Sequence, residues 1–358
     1  MRGILLMLWI SLACYNLANA QHYTSGGIDM EIRMISDSAD HNAFPDLIRY
    51  KKYFYCAIRE ADTHEPRENN LYGKIRVIRS KKGDKWETVI SFEIPKYDMR
   101  DGKFVILPDG RLMMYFGCSE YKNGRLISRL THVSYSSDGV HFTPPRPVEI
   151  DPAIKTHFDW VWSITWYDTV GYANLYQIKG KGGKWNVYLM KTNDGLHYSP
   201  ITSWDLGPRP NEARIRFAPD GRMIVIVRRE SGGPGILGMS YPPFTEWEWY
   251  DMSIKLGGPN FLVLSNNKIL IGSRLFKSKE VGEQMGKVNE DYRTGIFIAS
   301  DMGEIRKVVE LPSDGDTSYP GMIIYKDYLY VAYYSSHEGK AKIYFAKILF
   351  SDIESLFD

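Results

Sequence analysis

Short polar turns fall between apolar runs six times, at Lys51-Lys52, Asp109-Gly110, Asp168-Thr169, Asp220-Gly221, Asn266-Asn267 and Lys326-Asp327, at intervals of 58, 59, 52, 46 and 60 residues. A repeat of that length made of short strands points to a β-propeller, whose blades bury their faces by stacking on neighbours. Segments such as Arg111 to Phe116, Met223 to Val227 and Tyr328 to Tyr333 are strands by composition and length. The turn residues accept positive φ and suit tight hairpins. An aromatic content of 14% agrees with sheets packed face to face. The reading is an all-β chain of six four-stranded blades, with almost no helix. No linker or charge block divides residues 21–358, so they are expected to form one domain. The segment after Gln21 is expected to add an outer strand to the last blade and close the ring.

A second motif keeps step with the first. Ser136-Ser137-Asp138-Gly139-Val140-His141-Phe142 is matched by Thr192-Asn193-Asp194-Gly195-Leu196-His197-Tyr198, with weaker copies at Ser80 to Trp86 and Ser300 to Gly303. The pattern resembles the Asp-box, a turn between the two outer strands of a blade. Asp and Ser side chains there bond turn amides and Gly supplies positive φ. The role is structural, and the copies are expected on the outer rim. Blade four carries a degenerate copy, Ser240 to Trp247.

At the N-terminus, Met1-Arg2, an apolar run from Ile4 to Ala13 and Ala18-Asn19-Ala20 describe a cleavable export signal over residues 1–20. The run is too short to span a bilayer. Cys14 raises a lipoprotein alternative, but Ser11-Leu12-Ala13 matches that signal poorly and a cut after Ala20 removes it. The expectation is an exported protein, periplasmic or secreted. The formal charge of +2 carries no signature of nucleic-acid or anionic-membrane binding. Cys56 and Cys118 remain, either as a disulfide or as buried thiols.

In a propeller, the innermost strand of every blade starts at one mouth of the central channel. The segments about eight residues before the turns should therefore meet: His41 to Asp46, Asp98 to Asp101, Trp160 to Ser163, Asn211 to Arg214, Gly257 to Asn260 and Asp316 to Tyr319. The second strands return to that mouth at Arg59-Glu60, Gly117-Cys118, Tyr176-Gln177, Arg228-Arg229, Arg274 and Tyr334-Ser335. Arginines at three such ends need a partner or a bound anion. With Glu212, Asp46, Asp98, Asp101 and Tyr319 they form a polar cup. Mutually satisfied charges and water are the structural alternative to a ligand site there. Trp160 and Trp162 are candidates to stack on a sugar ring, and His337 and Glu338 are further possible contacts. No His, Cys or Asp cluster has metal-ligand spacing, and no phosphate loop is present. No cofactor is expected.

These residues resemble the sialidase superfamily across nearly all of residues 21–358. Sialidases place a glutamate on one blade and an arginine about one hairpin later, as Glu212 and Arg228 stand. A further arginine precedes a late Asp-box, as Arg293 precedes Ser300, and a tyrosine nucleophile opens the last inner strand, as Tyr319 does. More closely, His41 to Leu47, Arg59-Glu60 with His64, Leu256 to Phe261, Ser318 to Gly321 and Tyr334 to Gly339 resemble a group of bacterial proteins generally described as exo-α-sialidases. The resemblance implies retaining hydrolysis of a glycan through an aryl glycoside. A sugar with a carboxylate at its anomeric carbon repels a carboxylate nucleophile, whereas a phenol with a base beside it approaches neutral. Glu212 is the expected base for Tyr319. Arg228, Arg293 and either Arg59 or Arg274 would form the anion clamp. The acid for the leaving oxygen is expected on the loop leaving blade one, as Asp62 or His64.

One position departs from the family. Its first inner strand begins with an arginine that grips the sugar carboxylate, and this chain has Ala43-Phe44-Pro45-Asp46 instead. Arg59 and Arg100 are the candidates to replace it, and Asp46 and Asp101 would suit hydroxyls. Three classes stay open: an exo-glycoside hydrolase acting on a terminal acidic sugar, a polysaccharide lyase using His64 or Tyr319 as base, and a glycan-binding propeller without catalysis.

Overall fold

A computed structural model describes residues 20–66, 72–179, 184–207, 209–230, 233–276 and 292–357. The expected export signal, with Cys14, lies outside these residues except for Ala20. The described residues form six sheets, antiparallel apart from one short pair, that follow one another along the chain. Their innermost strands are His41–Tyr50, Tyr97–Ile106, Asp159–Tyr167, Pro210–Phe217, Asn260–Val263 and Thr317–Tyr325. Each is joined by a tight hairpin to a second strand: Tyr53–Ala61, Leu112–Lys122, Val170–Gln177, Met223–Arg229, Ile269–Phe276 and Tyr328–Ser335. All six polar turns stand at those hairpins. Lys51, Gly110, Asp168, Gly221, Asn267 and Lys326 all have φ between 52° and 85°, the left-handed conformation such turns require.

The second strands are buried on both faces, and period-two alternation divides their side chains between two neighbours. In Leu112–Lys122, Leu112, Met114 and Phe116 pack toward blade one, while Met113 and Tyr115 pack toward blade three. Ile224 and Ile226 likewise pack toward blade five, with Met223, Val225 and Val227 toward blade three. The core is thus a ring of apolar clusters, one at each interface between neighbouring blades. Cys56 and Cys118 sit in this packing as free, buried thiols, and burial pushes both well above the usual thiol range.

Ile28–Ser36 closes the ring by pairing antiparallel with Lys342–Leu349, and Gln21–Ser25 adds a further strand outside it. Blade six therefore has five strands rather than the expected four. The sheet of blade three also gains a fifth, Glu149–Ile150, which runs parallel to His197–Trp204. The described helix is a single short one, Phe350–Glu354, and no helix among the described residues is long and apolar enough to cross a membrane.

The second repeated motif forms turns between third and fourth strands. The Asp138 carboxylate accepts from the amides of Val140 at 2.7 Å and His141 at 2.8 Å, and Gly139 donates to the Ser136 hydroxyl at 2.8 Å. Thr192, Asp194 and Gly195 repeat the arrangement. Tyr50, at the hairpin end of blade one, donates to the carbonyl oxygens of Ser137 and Gly110 at 3.0 Å each. These turns therefore lie at the hairpin end of the blades, away from the mouth where the inner strands begin.

Closure through the N-terminal strand makes Ile32, which is buried between blades five and six, a test of the architecture. Ile32→Ala should destabilise the protein by about 2–5 kcal/mol in chemical denaturation. A loss near zero would mean that the strand contributes nothing to closing the ring.

Candidate active site

The inner strands share a defect. In five blades the pairing with the second strand slips at the same place: between Ala43 and Asp46, Arg100 and Lys103, Val161 and Ser163, Asn211 and Arg214, and Ser318 and Gly321. A bulge of this kind re-aims one side chain. Four of the bulged residues adopt positive φ: Phe44 at 53°, Asp101 at 55°, Glu212 at 27° and Tyr319 at 54°. Each costs roughly 1–2 kcal/mol for a residue with a Cβ. Four such residues at equivalent positions around one axis mark a site held against local preference.

The bulged side chains meet. The Tyr319 hydroxyl donates to Glu212 Oε1 at 2.7 Å, joining blades six and four. The Tyr319 ring lies 5.0 Å from Phe44 of blade one and 6.0 Å from Trp162 of blade three, between centroids. Blade five contributes Gly258, whose φ is 57°. Its amide donates to Glu212 Oε2 at 3.1 Å, and a Cβ there would lie 2.7 Å from the Tyr319 ring. Only glycine leaves room for the tyrosine.

Arg228 Nη1 approaches Glu212 Oε1 at 2.5 Å and its Nη2 approaches Glu230 at 2.7 Å. Burial opposes the Arg228 charge, but Glu212, Tyr319 and Glu230 together outweigh it and hold the guanidinium charged beyond its ordinary range. Burial, reinforced by the Glu212 carboxylate, raises Tyr319 well above the usual phenol value. The resting pair is therefore a neutral phenol donating to a carboxylate. Asp101 is buried, and burial raises its carboxyl against the pull of Lys103. Lys103, brought down to about 8 by burial, stands 3.7 Å above the Trp162 ring.

The other four candidate arginines divide. Arg274 Nε donates to the Thr317 carbonyl at 2.7 Å and its Nη2 lies 3.4 Å from the Tyr334 hydroxyl, with no carboxylate bridged to it among the described residues. Arg293 is engaged elsewhere, 2.5 Å from Asp314 and 3.5 Å from Glu310. Arg59 and Arg100 grip the two oxygens of fully buried Asp98, at 2.6 and 3.0 Å. Arg59 also holds the Thr63 carbonyl at 3.0 Å, while Arg100 holds the His64 carbonyl and Glu65. Both stand over the Phe44 ring, so they fasten the loop after blade one instead of presenting open guanidinium groups. Asp46 is likewise committed, to the Phe104 amide at 2.9 Å and to Arg214 of blade four at 3.2 Å.

Trp160 and Trp162 are buried within the blade packing. Trp160 stacks on Tyr176 beneath Arg129, so it offers no face to a sugar. His337 and Glu338 lie against Tyr344 of the third strand and Lys342. Asp62 and His64 are half-buried at the mouth end of blade one. His64 Nδ1 lies 2.7 Å from Asp316 Oδ2, and His41 Nε2 reaches the same oxygen at 2.8 Å. Tyr334 donates to Asp316 Oδ1 at 2.7 Å. The sequence shows no metal-ligand spacing, yet donor atoms of His41, His64 and Asp316 lie within 4.8 Å of one another. They come from the first and last blades, which ring closure makes neighbours. His41, Phe44 and Asp316 stand at or beside the starts of inner strands and His64 on the loop after blade one, and no motif spacing in the sequence joins the trio.

No protein-family model matches the chain, and comparison with curated proteins gives no match. Solved structures do match. A protein of unknown function from Dyadobacter fermentans superposes with a TM-score of 0.70 at 17% identity, covering 89% of this chain and 97% of its own. A Trypanosoma rangeli sialidase in complex with sialic acid gives 0.69 at 13%, covering 94% of this chain and 60% of the sialidase. An α-L-arabinofuranosidase from Fusarium graminearum gives 0.63 at 13%, covering 87% and 94%. At these identities the likeness establishes the fold alone: a six-bladed propeller similar to that of the sialidase.

The Gly258 contact gives a direct check. Gly258→Ala should destabilise the protein by about 1–2 kcal/mol through its positive φ and also displace the Tyr319 ring. Denaturant unfolding and a crystal structure of the variant would read both, and an unmoved Tyr319 would contradict this packing.

Proposed function

We propose that the protein is a retaining exo-glycoside hydrolase that releases a terminal acidic sugar from a glycan, with Tyr319 as nucleophile. The observation that carries this reading is the 2.7 Å hydrogen bond from the Tyr319 hydroxyl to Glu212. A buried phenol is a poor nucleophile until a base takes its proton, and Glu212 is the group in place to do so. The Tyr319 oxygen bonds to the anomeric carbon as its proton passes to Glu212. The glycosidic C–O bond breaks, and the departing oxygen takes a proton from Asp62 or His64. Water then attacks the anomeric carbon and gives its proton to that same acid–base group, and the released phenolate recovers its proton from Glu212. Most retaining glycosidases use two carboxylates for this chemistry, and a tyrosine nucleophile is the known exception.

Anion binding falls to Arg274, which bridges no carboxylate among the described residues, whereas Arg228 is already bridged to Glu212 and Glu230 and acts by holding Glu212. Arg293, Arg59 and Arg100 face acidic partners and are set aside as clamp residues. The clamp is therefore narrower than the resemblance implies, and the sugar needs only one anionic group at this wall. An exported enzyme would meet such glycans outside the cytoplasm.

Screening on sialosides, other ulosonic acids and uronic-acid glycans, with products identified by mass, would find the substrate. On that substrate, Tyr319→Phe should lower kcat by at least about a thousandfold while leaving the unfolding transition in place. Reaction in ¹⁸O-water should put one solvent oxygen on the released sugar. An unsaturated, ultraviolet-absorbing product without solvent oxygen would replace hydrolysis by elimination. Full activity of the phenylalanine variant would remove the nucleophile.

A further inference from the structure

We propose that His41, His64 and Asp316 form a binding site for a divalent transition metal of the zinc class at the mouth of the channel. The inference goes beyond the hydrolase reading and does not depend on Tyr319. Two imidazole nitrogens, His41 Nε2 and His64 Nδ1, aim at one carboxylate oxygen, Asp316 Oδ2, from 2.8 and 2.7 Å. Two histidines and one carboxylate with a fourth position open is a recurring zinc ligand set. Tetrahedral ligands about 2.0–2.2 Å from zinc lie roughly 3.3–3.5 Å apart. Moving each imidazole outward by about half an ångström makes that space. The His64 side chain is 42% exposed, so the site is open to solvent and a metal ion can reach it.

The supporting shell is built. Asp316 Oδ1 accepts from Tyr334 at 2.7 Å, and the Asp316 amide donates to Ser336 at 2.9 Å, which fixes the carboxylate. His41 is held by its bridge to Ala341 and by edge-on contacts with Phe44 and Tyr334. Hydrogen bonds like those on Asp316 orient metal ligands, while beyond Asp316 the His41 ring is held by packing, and its Nδ1 has no hydrogen-bond partner among the described residues. The nearby cations have other partners: Arg59 and Arg100 share Asp98, Arg100 also meets Glu65, and Arg274 bonds the Tyr334 hydroxyl.

The site would fasten the loop of His64 to blade six. His64 would then be a ligand, and the leaving-group proton in the hydrolase reading would fall to Asp62. The test is metal binding itself, read apart from turnover. Tag-free protein stripped with a chelator and titrated with Co²⁺ alone should bind one ion per chain and develop the intense visible absorption of tetrahedral cobalt, which Zn²⁺ should then quench by displacement. His64→Gln, on a half-exposed loop where folding is not at risk, should abolish the band. Tyr334→Phe should weaken binding about tenfold. Tyr319→Phe should bind as the parent does, so failure of the hydrolase reading leaves this result standing. Absence of the cobalt band in the parent, or a band unchanged in the His64 variant, would overturn the site.

Discussion

A hydrogen bond of 2.7 Å between the Tyr319 hydroxyl and Glu212 ties the last blade to the fourth, and much of the surrounding structure serves to make it possible. Residues 107 apart in sequence can meet only because the ring is closed by the N-terminal strand on blade six. They meet side chain to side chain because both sit on bulges with positive φ. The strain of those bulges is offset by the apolar clusters that clamp each inner strand between neighbours. Without that packing, the inner strands would relax into regular pairing and turn the two side chains away from each other.

The charges around this pair show a consistent economy. Glu212 is balanced by Arg228, Asp98 by Arg59 and Arg100, and Asp46 by Arg214. Buried ions paired in this way add little net stability, but losing one partner is costly because the other is left uncompensated. The network fixes geometry more than it adds stability. Among the described residues Arg274 stands apart, with a carbonyl and a phenol as its hydrogen-bond partners in place of a carboxylate.

Much of this was legible in the residues alone, and the reason is periodicity. Turn chemistry at Lys51, Gly110, Asp168, Gly221, Asn267 and Lys326 is local, so it survives being read in one dimension. The ring then places Tyr319, Glu212 and Arg228 at one mouth by counting residues. Side-chain commitment is not local. Arg59, Arg100 and Arg293 stand at strand ends much as Arg274 does, and only the positions of Asp98 and Asp314 show that they are engaged. Trp160 and Trp162 read as sugar platforms until Lys103 and Arg129 are seen over them. The bulges leave no residue signature, since Phe44, Asp101, Glu212 and Tyr319 share neither size nor charge. The trio of His41, His64 and Asp316 spans 275 residues and appears only when the circle is drawn.

The account's central claim is that a phenol oxygen, and no carboxylate, bonds to the sugar. Incubating the protein with a fluorinated glycosyl fluoride of its substrate would accumulate the covalent intermediate, and peptide mass mapping would locate it. The account predicts one sugar per chain, on the peptide that carries Tyr319. A sugar found on Glu212 or another carboxylate would contradict it.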